Sequence, residues 1–298
     1  MPLFPPQRAL RSINSLPWCF SGRPFCTGDT STTGSGSSSN SSRTPSHQHT
    51  PAVPLYRLVY FNTRGAAELT RYLLAITNVP YDDVRYPMQA RGAGFGVSPE
   101  FLRDQQAGAF AVNRDQLPVL QVLSPDGKTA VATLGQSHAI NRFLAARHGL
   151  LGSDDTLIVR AQIDAIYESV RDIRSEFLRI KRQPHHEARK DWIRNILPAH
   201  CQSLEASLPP SRPRHNSPEA TDSPFLFGGD TPTLADVAVV SLLGTAQSPL
   251  TGTLVTAFDD YDPTPAYENH KCPRLRASVE ALQVLLKPWY AKRPDTFS

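Results

Sequence analysis

Residues 55–75 read LYRLVYFNTRGAAELTRYLLA, and the rest of the chain is interpreted outward from this stretch. Its first part predicts a strand, because side chains alternate along it and β-branched and aromatic residues are common. Turn-forming residues and Gly65 then predict a bend, and the spacing of Leu69 and Leu73 predicts a helix. A strand that turns into a helix N-terminus suits ligand binding, because the first helical N–H groups lack partners. Tyr60 lies at the exit of the strand.

Two later segments also place polar side chains where a strand or a helix begins. Residues 116–120 read QLPVL, a polar residue and an X-Pro step that lead into a strand. Residues 135–140 read GQSHAI, a glycine and two hydrogen-bonding side chains at the start of an apolar helix. A tyrosine in a strand is more often part of a core than a catalyst, so Tyr60 alone identifies no site. The functional argument depends on the three segments together.

The motifs YxxxYFxxRGxAExxRxxLA, QLPVL and QSxAI, in this order, resemble the thioredoxin-like domain of soluble glutathione transferases. The resemblance is greatest to the tyrosine-type sigma class, which includes the glutathione-dependent prostaglandin D synthases. The later segments FLFGGDTPTLADVAVV and ENHKCPRLRASVEALQVLLKPWYAKRP resemble the C-terminal helices of the same family. The resemblance therefore covers about residues 55–298.

The resemblance implies an α/β thioredoxin-like N-terminal domain at 55–147, with a mixed four-stranded sheet in the order βαβαββα. An all-α helical bundle domain is expected at 155–298. Within the first domain, the sequence predicts strand Val79–Tyr86, a loop at Met88–Gly96, a helix capped by Ser98, hairpin strands Gln116–Leu123 and Lys128–Leu134, and helix Gln136–Arg147.

The second domain is predicted from helical periodicity. Seven apolar residues separated by three or four positions indicate one long helix with a continuous apolar seam: Val159, Ile163, Ile166, Val170, Ile173, Phe177 and Ile180. This spacing indicates a packed core or a subunit contact rather than a cofactor site. A second helical stretch, Glu187–Leu208, is expected to be kinked or divided near Pro198. Thr233 and Asp236 form a capping box before an apolar helix.

Composition limits the other classes of function. The chain has 298 residues, 40% of them apolar, and no run approaches the ~20 apolar residues that a membrane helix needs. We therefore expect a soluble protein. The formal charge is +4, of which residues 1–54 contribute +3 (four Arg and one Asp), so about +1 remains on the rest. No nucleic-acid partner and no membrane partner is expected. The four cysteines show no CxxC spacing, so neither a disulfide framework nor a zinc site is expected.

Residues 1–54 are expected to be a disordered N-terminal extension. Residues 27–51 are rich in Ser, Thr, Gly and Pro and lack aliphatic side chains, so they cannot offset the entropy of ordering. The first 26 residues contain Arg and Ser and no acidic residue, which is typical of an organellar transit peptide. The extension therefore predicts a mitochondrial location, with a plastid location and a cytoplasmic protein carrying a plain disordered tail as the alternatives.

The resemblance assigns the catalytic role to Tyr60. A phenol with a pKa of about 10 is neutral at neutral pH and can donate a hydrogen bond. When the acceptor is the sulfur of glutathione, that bond favours the thiolate over the thiol. The thiolate then attacks a small hydrophobic electrophile, so the nucleophile belongs to glutathione, the co-substrate.

The resemblance also assigns the binding of glutathione. It implies that Pro118 follows a cis peptide bond and that the backbone of Leu117 pairs, strand-like, with the cysteinyl part of glutathione. Gln136 and Ser137 open a helix whose N–H groups and hydroxyl suit the γ-glutamyl carboxylate. Gln116 is expected to contact the glycyl end.

A homodimer is the expected assembly, since Asp172 matches a family carboxylate that reaches the γ-glutamyl ammonium across the dimer interface. Two departures from the family pattern affect the site. An arginine that supports the tyrosine and thiolate is replaced by Ala66, and a tryptophan that contacts the glycyl carboxylate is replaced by Ser98, for which Arg103 is a candidate substitute. Arg171 stands where prostaglandin synthases carry an acidic metal-site residue, so no metal is expected.

These departures keep two alternatives open. The chain is either a glutathione transferase that uses Tyr60, or a non-catalytic binding or scaffold protein with the same fold. A glutathione-dependent isomerase or peroxidase acting on lipid substrates in the same site is a third possibility, which the sequence does not separate from conjugation.

Overall fold

The structure is a computed structural model, and it describes residues 55–91, 94–152, 156–181, 186–210, 223–244 and 271–294. The N-terminal extension, with its predicted targeting signal, lies outside the described residues. So do most of residues 209–224, a Pro- and Ser-rich segment that lies before the helix beginning at Leu234.

Six strands and three helices form the first half of the described chain. In chain order they are β1 (Tyr56–Phe61), α1 (Glu68–Ile76), β2 (Tyr81–Tyr86), β3 (Met88–Arg91), β4 (Gly94–Val97), α2 (Pro99–Gln106), β5 (Val119–Leu123), β6 (Ala130–Gly135) and α3 (Ser137–Arg147). The main sheet has the order β2-β1-β5-β6. β1 is parallel to β2 and antiparallel to β5, and β5 is antiparallel to β6, so the mixed four-stranded sheet is confirmed.

The predicted loop at Met88–Gly96 is wrong. β3 and β4 form a separate two-stranded antiparallel sheet there, in which Met88 pairs with Val97. The glycines of this segment suggested a loop, but a short hairpin needs few apolar residues because its backbone groups pair with each other. The hairpin leads into α2, where the Ser98 hydroxyl accepts a hydrogen bond from the backbone N–H of Phe101 at 3.3 Å, as predicted for an N-cap.

The two faces of the main sheet bury different clusters. Val59 and Val119 lie on one face and pack with the stacked rings of Phe101 and Phe110, whose centroids are 5.5 Å apart. Leu58 and its neighbours on the other face join α1 and α3 in a much larger core. Because strand side chains alternate between faces, Tyr60 lies on the side of the larger core.

The described residues of the second half form α4 (Leu157–Lys181), α5 (His186–Asp191), α6 (Leu197–Ser207), α7 (Leu234–Leu243) and α8 (Pro273–Lys292). The predicted seam of α4 is buried from Val159 to Phe177, and Ile180 packs against it. A π-helical turn, Trp192–Ile196, separates α5 from α6 just before Pro198, where the proline lacks an N–H for a regular helical bond. The larger core is continuous through both halves of the described chain.

Asp236 anchors the start of α7. Its buried carboxylate accepts hydrogen bonds from Thr233 N–H (2.7 Å), Leu226 N–H (2.8 Å) and the Ser278 hydroxyl (2.6 Å). The carboxylate therefore joins α7 to α8 and to the preceding loop, besides closing the predicted capping box. Within the described ranges, no helix is both long enough and apolar enough to span a bilayer.

Candidate functional site

Tyr60 lies where β1 ends and the chain turns toward α1. Its side chain is half-buried at the edge of the larger core. The turn contains a 3-10 segment, Gly65–Ala67, and the backbone N–H of Ala66 donates to the Tyr60 hydroxyl at 3.0 Å. The phenol is thus held at the mouth of the first strand–helix unit, as the resemblance implies.

Gly65 makes this close approach possible. A Cβ at position 65 would lie 2.5 Å from the Tyr60 hydroxyl oxygen, which is closer than real contacts allow. The backbone there also has a φ of 41°, a conformation that L side chains rarely adopt. The glycine therefore determines where the hydroxyl of Tyr60 lies.

Arg71 holds the turn from inside the protein. Its fully buried guanidinium donates to the carbonyl of Thr63 at 2.8 Å and pairs with Asp83 at 3.1 Å and Glu68 at 3.4 Å. The same guanidinium lies over the ring of Tyr60, 5.9 Å from its centroid. Each charge in this cluster has a partner, so the cluster acts as a rigid support for the tyrosine.

A second arginine, Arg174, reaches the same turn from α4. Its guanidinium donates to the carbonyl of Gly65 at 3.0 Å. The Nε atom of Arg174 is buried and has no hydrogen-bond partner. Burial lowers the pKa of this guanidinium, and the nearby phenols of Tyr60 and Tyr167 act in the opposite direction.

The other edge of the site is organised by Asn113. Its side-chain amide donates to the carbonyls of Gln116 at 3.1 Å and Pro118 at 2.9 Å. Its side-chain oxygen accepts from the backbone N–H of Gln136 at 3.0 Å and from the Gln136 side chain at 2.9 Å. One buried amide thus joins the loop before β5, in which the Leu117–Pro118 peptide bond is cis, to the start of α3.

Gln136 has an unusual backbone at this junction. Its φ is 65°, which few non-glycine residues adopt, and α3 begins at the next residue, Ser137. The two hydrogen bonds to Asn113 stabilise this conformation, which directs the chain from β6 into α3. Four predicted binding residues therefore share one edge: Gln116, Leu117, Pro118 and Gln136, with Ser137 beside them.

Two predicted residues are placed elsewhere. Asp172 lies on α4, is largely exposed, and pairs with the adjacent Arg171 at 2.9 Å. Arg103 lies on α2, is also exposed, and pairs with Asp104 at 3.1 Å. In the described part of the chain, neither side chain forms a hydrogen bond or ion pair with the Tyr60 turn or with the loop before β5.

The two departures from the family pattern have different structural results. Ala66 presents its backbone N–H to Tyr60 and has no side-chain charge to offer. Ser98 is buried and uses its hydroxyl to cap α2. Ser98 therefore has a structural role that does not depend on a ligand.

His138 lies next to Ser137 at the start of α3 and packs against Tyr167, with 5.2 Å between ring centroids. Burial, together with the positive charges of Arg171, Arg142 and Arg174, lowers the pKa of His138 to about 4. Its Nδ1 atom is buried without a hydrogen-bond partner. The imidazole is therefore neutral at physiological pH, and the positive charge beside Tyr60 comes from arginine.

Cys201 and Cys272 are buried free thiols in the helical half. Burial raises the pKa of Cys201 to about 12 and that of Cys272 to about 11, so both are protonated and poor nucleophiles. Among the side chains that the structure describes, no group of three or more His, Cys, Asp or Glu could hold a metal ion.

Sequence reasoning missed Asn113 and Arg174. Asn113 sits in an irregular stretch between α2 and β5, where an asparagine suggests only a turn. Arg174 directly follows the buried seam residue Ile173, so helical periodicity predicts that it lies on the charged face of α4. Neither position gives a signal in the sequence, because each acts through a partner more than twenty residues away in the chain.

Comparison with known proteins agrees with this architecture. No family model matches the chain. A protein described as "Probable glutathione S-transferase 5" from Caenorhabditis elegans is 30% identical over 249 residues, covering 81% of this chain and 98% of that protein. The solved structure "rat hPGDS complexed with a quinoline" aligns with a TM-score of 0.52 and 25% identity, over 82% of this chain and 99% of the other.

A solved structure from the hookworm Necator americanus, described as monomeric Na-GST-3, aligns with a TM-score of 0.50 and 25% identity, over 81% of this chain and 98% of the other. The relatedness over nearly the whole length of the nematode protein, together with the mixed sheet and helical half, defines the class. The chain belongs to the glutathione S-transferase family and is a glutathione transferase.

Proposed function

We propose that the enzyme uses Tyr60 to hold glutathione as a thiolate for attack on small hydrophobic electrophiles. The observation that carries this proposal is the hydrogen bond from Ala66 N–H to the Tyr60 hydroxyl at 3.0 Å. A hydroxyl has one donor and two acceptor sites, so accepting from Ala66 leaves its own proton available. That proton is the one donated to sulfur.

The energetics of this step are modest. Lowering a thiol pKa by one unit requires about 1.4 kcal/mol of preference for the thiolate, and a hydrogen bond to a charged group contributes about 1.5–3 kcal/mol. A hydrogen bond from a single phenol can therefore lower the pKa of the thiol by one or two units. The thiol proton goes to solvent and sulfur forms a bond to the electrophilic carbon. In a substitution the leaving group departs with its electron pair; in an addition to a carbon–carbon double bond the neighbouring carbon takes a proton from solvent.

Glutathione is proposed to lie between the Tyr60 turn and the edge organised by Asn113. Its cysteinyl backbone would pair with Leu117, and its γ-glutamyl carboxylate would meet the N-terminus of α3 at Gln136 and Ser137. Gln116 would contact the glycyl end. The clustering of these residues at one edge supports this placement.

The proposal for Asp172 requires a second copy of the chain. This carboxylate is exposed on α4 and pairs with the adjacent Arg171, so it would contribute through a partner subunit that places its site nearby, as the resemblance implies. We propose a homodimer on this basis. Light scattering of the purified protein should give a mass of two chains, and a monomer that still binds glutathione would remove Asp172 from the site.

The test of the proposed function is the variant Tyr60→Phe, which removes the donor and keeps the ring. We expect kcat/KM for glutathione conjugation of an aryl halide to fall about 10- to 100-fold, as loss of a hydrogen bond to a charged group implies. The dissociation constant for glutathione should change little at a pH where the free thiol predominates.

The matched control is Tyr86→Phe. Tyr86 ends β2, the strand next to β1, and its side chain packs against the smaller cluster, on the opposite face of the sheet from Tyr60, where its hydroxyl donates to Asp104 at 2.6 Å. This variant should keep full activity. Unchanged activity in Tyr60→Phe would refute the tyrosine mechanism, and a wild-type protein that binds no glutathione in calorimetry would favour the scaffold alternative.

A further inference from the structure

Arg174 is a buried cation without an anion. Among the residues that the structure describes, no carboxylate lies within ion-pair distance of its guanidinium. Its neighbours Arg171 and Arg142, by contrast, pair with Glu168. Burying an unpaired charge is unfavourable, so proteins usually compensate such a charge with a partner or a ligand.

The position of Arg174 shows where a compensating anion would lie. Its one described hydrogen bond is to the carbonyl of Gly65. Gly65 is also the residue that touches the Tyr60 hydroxyl, since a Cβ there would be 2.5 Å from the hydroxyl oxygen. The guanidinium and the phenol therefore both lie against Gly65, and the buried Nε of Arg174 has a donor left over.

We propose that Arg174 supplies the positive charge that stabilises the thiolate of glutathione at Tyr60. This inference rests on the proposed function and adds a residue from α4 to it. Arg174 acts as a positioning residue, because its hydrogen bond to the Gly65 carbonyl holds the turn that presents Ala66 N–H and the Tyr60 hydroxyl. It also contributes its positive charge close to the sulfur of glutathione.

The arrangement explains how a site with Ala66 at its turn can remain active. Arg71, which supports the turn from inside the protein, is already paired with Asp83 and Glu68. The groups that face Arg174 are the phenols of Tyr60 and Tyr167, and His138 from α3. None of these side chains is a carboxylate, so no described ion pair neutralises the charge of Arg174 before glutathione binds.

The test measures the thiol pKa of bound glutathione, from the ultraviolet absorbance of the thiolate, in the full chain and its variants. Arg174→Gln retains a donor for the Gly65 carbonyl and removes the charge. Arg174→Lys retains the charge. Arg276→Gln, which changes an exposed arginine paired with Glu280 on α8, is the control.

We expect Arg174→Gln to raise the thiol pKa by about one unit, which lowers kcat/KM about tenfold at neutral pH. The rate should recover at higher pH, where the thiol ionises unaided, and this recovery would not occur if Arg174 only stabilised the fold. Arg174→Lys should bring the thiol pKa most of the way back to the wild-type value, and Arg276→Gln should leave the thiol pKa unchanged.

The possible failures are distinguishable. If wild type forms a thiolate and Arg174→Gln has the same thiol pKa, the role of Arg174 is refuted and the proposed function stands. If both Arg174→Gln and Arg174→Lys lose activity equally at every pH, the residue is only structural and the inference is overturned. If wild type itself forms no thiolate, the proposed function is refuted and this inference with it.

Discussion

Key side chains on the two sides of the candidate site differ in how many of their hydrogen-bonding groups have partners. On the sheet side, Asn113 uses its amide N–H groups and its oxygen, and Arg71 is paired with two carboxylates. On the helix side, Arg174 has a buried Nε without a partner and His138 a buried Nδ1 without one. Asn113 and Arg71 therefore form a complete support on the sheet side, whereas Arg174 and His138 on the helix side each have a hydrogen-bonding atom left for a ligand.

This difference indicates which mutations should affect the fold and which should affect the chemistry. A saturated network loses several bonds when one member is removed, and the partners left behind remain buried. Replacing a side chain whose donors have no partner costs the free protein little stability, because no hydrogen bond to those donors is broken. We therefore expect large stability effects on the sheet side and effects on thiol chemistry on the helix side.

The largest expected effect is that of Arg71→Met. It leaves Asp83 and Glu68 with one fewer partner inside the protein and frees the carbonyl of Thr63, so the free energy of unfolding should fall by about 3 kcal/mol. Denaturant unfolding monitored by circular dichroism measures this change.

Arg57→Met is the control for Arg71. Arg57 pairs with Asp82 at 3.3 Å on β1 and β2, but both side chains are a third or more exposed. Its loss should therefore cost less than about 1 kcal/mol. Equal effects of the two substitutions would contradict the view that burial makes the Arg71 cluster the support of the site.

The second expected effect is that of Asn113→Asp. The variant keeps an oxygen for the N–H of Gln136 and loses both donations, to the carbonyls of Gln116 and Pro118. We expect about 2 kcal/mol of lost stability and weaker glutathione binding, since two buried carbonyls lose their donor. Calorimetric titration with glutathione measures the binding.

Asn195→Asp provides the matched control for that substitution. Asn195 is exposed on the helical half and bonds to Asp191 at 2.7 Å. Its replacement should leave glutathione affinity unchanged. If Asn113→Asp also bound glutathione with wild-type affinity, the hydrogen-bonded edge would not position the ligand.

The smallest expected effect concerns His138 and pH. The pKa of His138 is lowered to about 4 in the folded protein and is about 6.5 in an unfolded chain, so the unfolded state binds the extra proton first. Stability should therefore fall as pH decreases from 6.5 toward 4 and show no further change from this group below that range. Because the ring is only half-buried, we expect a loss of about 1 kcal/mol.

The variant His138→Leu separates this effect from other titrations. It removes the titrating ring and keeps an apolar side chain against Tyr167. The difference in unfolding free energy between wild type and His138→Leu should depend on pH within this window. A difference that is constant across the window would show that His138 titrates with its ordinary pKa.

The fold was largely readable from the sequence because it depends on local patterns. The alternation of residues 56–61 predicted β1, and the spacing of the α4 seam predicted a helix whose apolar side chains are buried. The error at Met88–Gly96 has a local cause as well, since glycine-rich segments lack the apolar periodicity that signals a strand. The positions of Gln116, Gln136 and Tyr60 followed from their motifs.

The sequence by itself determined the order of the elements, the apolar faces that pack together, and the tyrosine, glutamine and proline motifs at their ends. Only the tertiary structure decided which groups complete the site. Asn113 joins two segments 23 residues apart, and Arg174 reaches Gly65 across 109 residues. Local patterns report which face of an element is buried, whereas hydrogen bonds between distant elements depend on how those elements pack, which becomes visible only when the chain is folded.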